Sequence, residues 1–536
     1  MSDLHTIEVE ESNKNLLRIL SGLPSSVLQS ALGQETFDGL KSFGFGTDDH
    51  QIAKTLISIY GNDVFGIKEI NESLCRNLDI DPFRWGRNRK STDLLDNLGI
   101  DRSYLPDPAI RREPIIESIS DSRLHKYQQS VKSALSRFLV GDNKQNSIMV
   151  QMPTGSGKTR VAMESIYDFL RLKYNQRENF SVIWLAHTDE LCEQAVESFD
   201  MGWSKLGSFE VNLLRLWGGN LGRISDMPDG INFAVISLQS AYSMMRTRNQ
   251  HVEDLFTELR KNTKLLIIDE AHISKANTFE SAINFLCKHG TKKIGLTATP
   301  GRHGLNSDNE ETIELARFFE GNKIDISSEF GEVNAIDYLQ NQGILSKVEQ
   351  EPLLTNLTIQ LNLNQQEKLA NGEDLSQDII KQVVNDEERN NTIIKHLQYL
   401  SKELNKKILV FAASVSHANM ISAVLSATGI ESRSITDKSS QQQRRAAIRD
   451  FKNEEFSVLC NFGVLSTGFD DPKINCVVIA RPTFSVVLYS QMVGRGLRGI
   501  KNGGTEECLL VDVVDNLVTQ PELKQAYNYF EGEWNG

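Results

Sequence analysis

One stretch constrains this chain more than any other. Residues 147–151 form a short apolar run, Ser-Ile-Met-Val-Gln, and residues 160–172 carry a helical pattern. Between them lies Met152-Pro153-Thr154-Gly155-Ser156-Gly157-Lys158-Thr159. A strand, a glycine-rich turn and then a helix is the context in which such a loop holds phosphate. Gly155 and Gly157 let the backbone curl until its N–H groups face one point. The helix N-terminus adds partial positive charge at the same place. With Thr154 and Ser156 these glycines are the expected cradle of a nucleotide. Lys158 would reach the β- and γ-phosphates of ATP, and Thr159 would offer its hydroxyl to Mg²⁺. Met152 stands where the G-x-x-x-x-G-K-[ST] pattern has its first glycine.

A second signal follows about 110 residues later. Leu265–Ile268 is apolar and ends in Asp269-Glu270-Ala271-His272. Acids at the C-terminal end of a strand stand where open α/β sheets bind ligands. Asp269 can hold Mg²⁺ through its water shell, and Glu270 can orient and deprotonate an attacking water.

Short apolar runs alternate with helical stretches around these two signals. The runs are Ser147–Gln151, Ser181–Ala186, Asn232–Ser237, Leu265–Ile268 and Ile294–Thr297, then Lys407–Ala412, Phe456–Cys460, Asn475–Ala480 and Cys508–Val513. Such alternation predicts parallel sheets covered by helices, an α/β fold. A polar region near 301–333 interrupts the rhythm, which predicts two tandem lobes, at 121–305 and 335–515. Residues 1–120 show helical spacing, as in Leu16, Leu20 and Leu23 or Ile52, Leu56 and Ile59, and predict a mostly helical accessory domain. Three prolines within 104–114 read as a linker, and 516–536 as a tail.

The net charge of −13 speaks to solubility more than to any one groove. Cys75, Cys192, Cys287, Cys460, Cys476 and Cys508 form no C-x-x-C pair and are expected to be buried thiols of a reducing compartment. No window is long and apolar enough for a bilayer, and the polar N-terminus does not read as a secretory signal. A cytoplasmic protein with no membrane partner is expected.

Asp269-Glu270-Ala271-His272 is a DEAH box, and other motifs surround it in helicase order. Leu124-His125-Lys126-Tyr127-Gln128-Gln129 resembles the adenine-reading segment ahead of the phosphate loop, with Gln128 as the reader. Leu185–Leu191, including His187 and Thr188, resembles motif Ia. Ser237-Leu238-Gln239-Ser240 resembles motif Ib, and Thr297-Ala298-Thr299-Pro300 resembles motif III. In the second half, Ile408–Phe411 begins what looks like motif IV. Ser466-Thr467-Gly468-Phe469-Asp470 resembles motif V, and Gln491–Arg498 fits Q-x-x-G-R-x-x-R of motif VI. The ordered set, over about 121–515, resembles superfamily 2 helicases built on two RecA-like lobes. The nearest likeness is to the motors of type I and type III restriction systems and to bacterial and phage repair helicases. Arg481-Pro482-Thr483-Phe484-Ser485 supports that placement.

The resemblance implies an ATP hydrolase that needs Mg²⁺ and acts on nucleic acid, DNA more than RNA. Arg495 and Arg498 would neutralise charge on the γ-phosphate from the opposite lobe, so that hydrolysis requires closure. Gly468, Asp470 and Gln491 would complete the nucleotide site. His272, Thr297 and Thr299 would couple it to the track, which His187, Thr188, Gln239 and Thr467 would touch.

Arg84-Trp85-Gly86-Arg87 lies outside this set. It suits either phosphate contact with base stacking or a solvated turn whose tryptophan anchors a small core. Three functions stay open: a DNA helicase or translocase in repair or phage defence, a motor subunit remodelling DNA for a partner nuclease without strand separation, and an RNA helicase. A binding module with a dead ATP site is disfavoured by the intact Lys158, Asp269, Glu270, Arg495 and Arg498.

Overall fold

The computed structural model of the protein describes residues 14–42, 44–105, 124–141, 145–175, 179–218, 220, 227–272, 277–298, 310–326, 335–359, 365, 375–465, 469–483 and 486–515. Its first part is a bundle of short helices: α1 (Ser25–Leu32), α2 (Gln34–Ser42), α3 (Asp49–Tyr60), α4 (Lys68–Asn77) and α5 (Arg89–Leu98). Local chemistry sets their ends. The Asp48 carboxylate accepts from Gln51 N–H to start α3, and the Asn88 side chain accepts from Ser91 N–H to start α5. Leu28, Ile52, Leu56, Ile70, Leu74, Leu94 and Leu95 recur at helical spacing and are buried together.

The first lobe is a parallel sheet of β1 (Ser147–Gln151), β2 (Phe180–Ala186), β3 (Asn212–Leu216), β4 (Ile231–Ser237), β5 (Thr263–Ile268), β6 (Lys292–Thr297) and β7 (Lys323–Asp325), in the spatial order 3-4-2-5-6-1-7. Its helices are α6 (Lys126–Val140), α7 (Lys158–Tyr174), α8 (Asp189–Leu206), α9 (Leu238–Met245), α10 (Gln250–Asn262), α11 (Asn277–Leu286) and α12 (Glu310–Phe318). Alternation along β2 shows the layering. Val182 and Trp184 share a core with α6, α7 and α8, whereas Ile183 and Leu185 share one with α9 and α11.

The second lobe is a six-stranded parallel sheet of β8 (Lys347–Leu354), β9 (Ile408–Phe411), β10 (Ser432–Thr436), β11 (Val458–Phe462), β12 (Cys476–Ile479) and β13 (Glu507–Val514), ordered 10-11-9-12-13-8. Around it lie α13 (Ala335–Asn341), α14 (Gln377–Asn385), α15 (Glu387–Lys402), α16 (Val415–Ala427), α17 (Gln441–Lys452) and α18 (Val486–Val493). Leu409, Phe411, Val477 and Ile479 share one core with Phe451 of α17 and Met492 of α18. The alternate residues Ile408, Val410, Cys476 and Val478 share the other with α15, α16 and the N-terminal bundle. Two RecA-like lobes preceded by a helical bundle are the architecture.

The bundle, first in sequence, is seated on the second lobe. α2 and α3 pack on α16, and α3 reaches β10. Gly39 in α2 makes room for Met420 of α16: a Cβ there would lie 2.6 Å from Met420 Cγ. The strands not legible as apolar runs are β3, β7, β8 and β10, which are the four sheet edges. Edge strands are covered less, so they tolerate polar residues. β8 reads Lys-Val-Glu-Gln-Glu-Pro-Leu-Leu and buries none of its residues. The cysteines are all free; Cys287 is half-buried rather than buried, and the other five are buried. Among the described residues no helix is long and apolar enough to cross a membrane.

Candidate nucleotide cleft and its surroundings

The turn between β1 and α7 takes the left-handed backbone that its glycines permit, with φ +86° at Gly155 and +89° at Gly157. It is held from α6. Tyr127 Oη donates to Ser156 O at 2.7 Å and Gln128 Nε2 to the same oxygen at 2.9 Å, while Gln128 Oε1 accepts from His125 N–H at 2.9 Å. Ser156 Oγ donates to Pro153 O at 2.7 Å. Lys158 Nζ donates to Met152 O at 3.2 Å. Burial pushes the Lys158 pKa down, against the pull of Glu270 and Asp269. Thr154, Gly155, Gly157, Lys158 and Thr159 line a cavity of about 1310 Å³, which Asp269, Glu270, Asp470, Arg495 and Arg498 also line.

Asp269 is buried just beyond β5, where its N–H donates to Leu185 O at 2.9 Å. Burial, and then the neighbouring Glu270, raise its pKa to about 7 against the pull of Lys158. Glu270 has φ +49°, a region that costs a non-glycine residue about 1 kcal/mol or more. Its N–H donates to Asp269 Oδ1 at 3.1 Å, and its Oε2 lies 3.5 Å from His272 Nδ1. His272 Nδ1 also sits 3.2 Å from Thr297 Oγ1 at the end of β6. His272 Nε2 is 3.5 Å from Gln491 Nε2 in α18. A neutral ring protonated on Nδ1 satisfies these contacts, since Nε2 can then accept from the amide. One imidazole thus joins the acid pair, the end of β6 and the opposite lobe.

From that lobe come Arg495 and Arg498. Arg495 Nε donates to Gln491 O at 3.2 Å and Nη1 to Phe469 O at 2.6 Å. Burial, and then Arg498, lower its pKa to about 10. Arg498 reaches over the phosphate loop: a Cβ on Gly155 would lie 2.6 Å from its Nη1, a buried atom with no hydrogen-bond partner. Its Nε donates to Asp470 Oδ1 at 2.8 Å. Burial works to raise the Asp470 pKa, but Arg498 and Arg495 outweigh it and hold the carboxyl below its usual range. Gly494 faces Thr154 so closely that any Cβ would strike the threonine methyl. At the rim, Arg444 Nη1 bonds Glu190 Oε1 at 2.6 Å.

The remaining expected residues are more scattered. Thr299, Thr467 and Gly468 lie outside the described residues. His187 is half-buried near Phe279, with its Nδ1 buried and unpartnered, and burial lowers its pKa. Thr188 caps α8 by accepting from Leu191 N–H at 3.3 Å. Gln239 is exposed on the first turn of α9. Arg84 and Arg87 are exposed on the bundle, away from the cleft, and Trp85 packs on Phe65 at 4.9 Å between centroids. Sequence reasoning missed Tyr127 as a second brace of the loop, the Arg444–Glu190 pair, and the bundle's seat on lobe 2. The tyrosine sits beside Gln128 in the quoted motif; the other two join residues distant in sequence and left no local signal.

A family profile described as "Type III restriction enzyme, res subunit" matches residues 121–302, and one described as "Helicase conserved C-terminal domain" matches 388–499. A Saccharomyces cerevisiae protein with the provisional name ATP-dependent helicase IRC3 is 27% identical over 73% of this chain and 51% of its own length. The type I restriction enzyme EcoKI endonuclease subunit of Escherichia coli K12 is 24% identical over 74% of this chain and 35% of its own. Proteins named as RNA helicases match as well, at 23% identity. The type ISP restriction-modification enzyme LlaBIII, solved bound to DNA, shares the fold with a TM-score of 0.50 at 14% identity, over 77% of this chain and 30% of its own. The chain spans about half the length of the yeast relative and a third of the E. coli one. It belongs to the superfamily 2 helicases, related to restriction-enzyme motors and to DEAD/DEAH-box proteins. Helicase lobes of this family imply ATP-hydrolysing activity.

Proposed function

We propose that the protein is an ATP-dependent DNA translocase or helicase, with lobes at 121–305 and 335–515, whose inter-lobe cleft hydrolyses ATP as it closes. The observation that carries this reading is the apposition in one cavity of Lys158, the Asp269–Glu270 pair and the two arginines of the other lobe. Gln128, fixed between His125 N–H and Ser156 O, stands at the edge where an adenine would be read. The N–H groups of residues 154–159 and the Lys158 ammonium hold the phosphates. Thr159 and Asp269 fit Mg²⁺: Asp269 is a buried acid whose pKa desolvation raises to about 7, a shift that a nearby dication would reverse. Bound there, the ion would neutralise phosphate oxygens.

Glu270, aimed by its backbone and by His272, takes the proton of the attacking water. Arg495 and Arg498 stabilise the charge that develops on the transferred phosphoryl group, and Gln491, Gly494 and Asp470 fix their positions. His272 and Thr297 relay closure, and Thr299 continues that segment. His187, Thr188, Gln239 and Thr467 contact the track.

DNA is favoured over RNA by the restriction-motor likeness. A motor subunit serving a partner nuclease in repair or defence is the second reading, favoured by the relative named as an endonuclease subunit. ATP turnover by the wild type and by Glu270→Gln, with no nucleic acid, with forked DNA and with RNA, tests the proposal. DNA stimulation lost in the variant supports it; stimulation by RNA alone overturns the DNA assignment.

A further inference from the structure

The bundle and lobe 2 line a second cavity of about 1050 Å³, which shares no lining residue with the nucleotide cleft. One wall is the Arg84–Trp85 turn with the end of α3, and the other is the β10–α17 segment. Charge decides what it could hold. Arg433 and Arg449 both pair with Asp450, so that carboxylate is already satisfied. Arg84, Lys438 and Arg445 line the same cavity and have no ion pair among the described residues. Five cations, Arg84, Arg433, Lys438, Arg445 and Arg449, therefore face two acids, Asp63 and Asp450, so the lining is cationic in a chain whose net charge is −13. Hydroxyl and amide groups of Ser439, Ser440 and Gln442 line it too, and all can donate to an anion. A cavity of this volume, lined from two walls by cations and hydroxyls and flanked by an indole, suits a phosphodiester backbone more than a compact anion.

We propose that this groove is an auxiliary nucleic-acid site, gripping the backbone through Arg84 of the bundle and Lys438 and Arg445 of lobe 2. The inference rests on the motor reading above. It adds a property that reading lacks. Both walls belong to the bundle and lobe 2, where α2 and α3 pack on α16, so the groove is expected to keep its shape whether the nucleotide cleft is open or closed. The grip is then independent of nucleotide state, unlike contacts made across the two lobes.

Binding of labelled single-stranded and forked DNA to the full chain, measured by anisotropy across a salt series, tests it with Arg84→Glu and Arg445→Glu. Arg84 is exposed and makes no ion pair among the described residues, and thermal melting checks that each variant folds. Each change is expected to weaken binding roughly fivefold to tenfold and to make the salt slope shallower by about 1. The loss should be equal without nucleotide and with a non-hydrolysable ATP analogue. Unchanged affinity and slope in both folded variants overturn the groove, as does a loss confined to one nucleotide state. A wild type that binds no nucleic acid and is stimulated by none overturns the motor reading itself, which keeps the two failures apart.

Discussion

Lobe 2 meets its two neighbours differently. Against the bundle it shares a continuous core, with α2 and α3 seated on α16 and Gly39 shaped around Met420. Lobe 1 and lobe 2 also share a buried apolar cluster, but at the cleft they meet through close or polar contacts: His272 with Gln491, Arg444 with Glu190, Arg498 over Gly155, and Thr154 against Gly494. Apolar burial is non-directional and costs several kcal/mol to undo, whereas polar groups that separate into water recover hydrogen bonds there, so parting them costs less. The expectation is that the first seam stays shut and that the cleft side of the second opens and closes with nucleotide.

The largest expected effect is at the cleft. Arg498→Ala should lower kcat for ATP by about 10³-fold, the range for an arginine that stabilises phosphoryl transfer. Steady-state turnover at saturating nucleic acid measures it, and a loss below about tenfold would make Arg498 a mere partner of Asp470. Next comes the fixed seam. Met420→Ala should destabilise the bundle–lobe 2 unit by about 2–3 kcal/mol in a denaturant melt. A bundle that melts separately from lobe 2 in the wild type would break the contrast.

A third effect is set by pH. His417 in α16 is buried, with Nδ1 accepting from Ala413 N–H at 3.1 Å and Nε2 3.1 Å from Asn390 Oδ1. Burial, with Arg389 nearby, lowers its pKa to about 3. The fold therefore holds a neutral ring while the unfolded chain takes a proton below about 6.5. This contribution is full above that pH and falls by up to about 1.4 kcal/mol per unit as pH drops. Melting of wild type against His417→Asn between pH 7.5 and 5 should show the wild type losing more. Smallest is Arg444–Glu190, at the rim of the moving seam. A double-mutant cycle should give about 0.5 kcal/mol or less, vanishing at high salt. A coupling of several kcal/mol would mean a locked interface.

The sequence made the middle of each sheet legible and not its borders. Interior strands such as Val182–Ala186 or Ile408–Phe411 are buried on both faces and read as apolar runs. The edges β3, β7, β8 and β10 are covered less and carry Asn, Lys, Glu and Arg. The cleft residues were legible because phosphate chemistry restricts their type and spacing. Which surface the bundle covers was not, because Gly39 and Met420 are unremarkable until brought together. Trp85 packs on Phe65 and also lines the second cavity, while Arg84 beside it stays exposed.

The central contrast is tested most directly by distance. Dyes at exposed Met201 in lobe 1 and Tyr399 in lobe 2 report the cleft, and dyes at Lys68 in the bundle and Tyr399 report the fixed seam. With ATP analogue and nucleic acid, energy transfer for the first pair should change and for the second stay constant. A second pair that changes as much as the first would contradict the account.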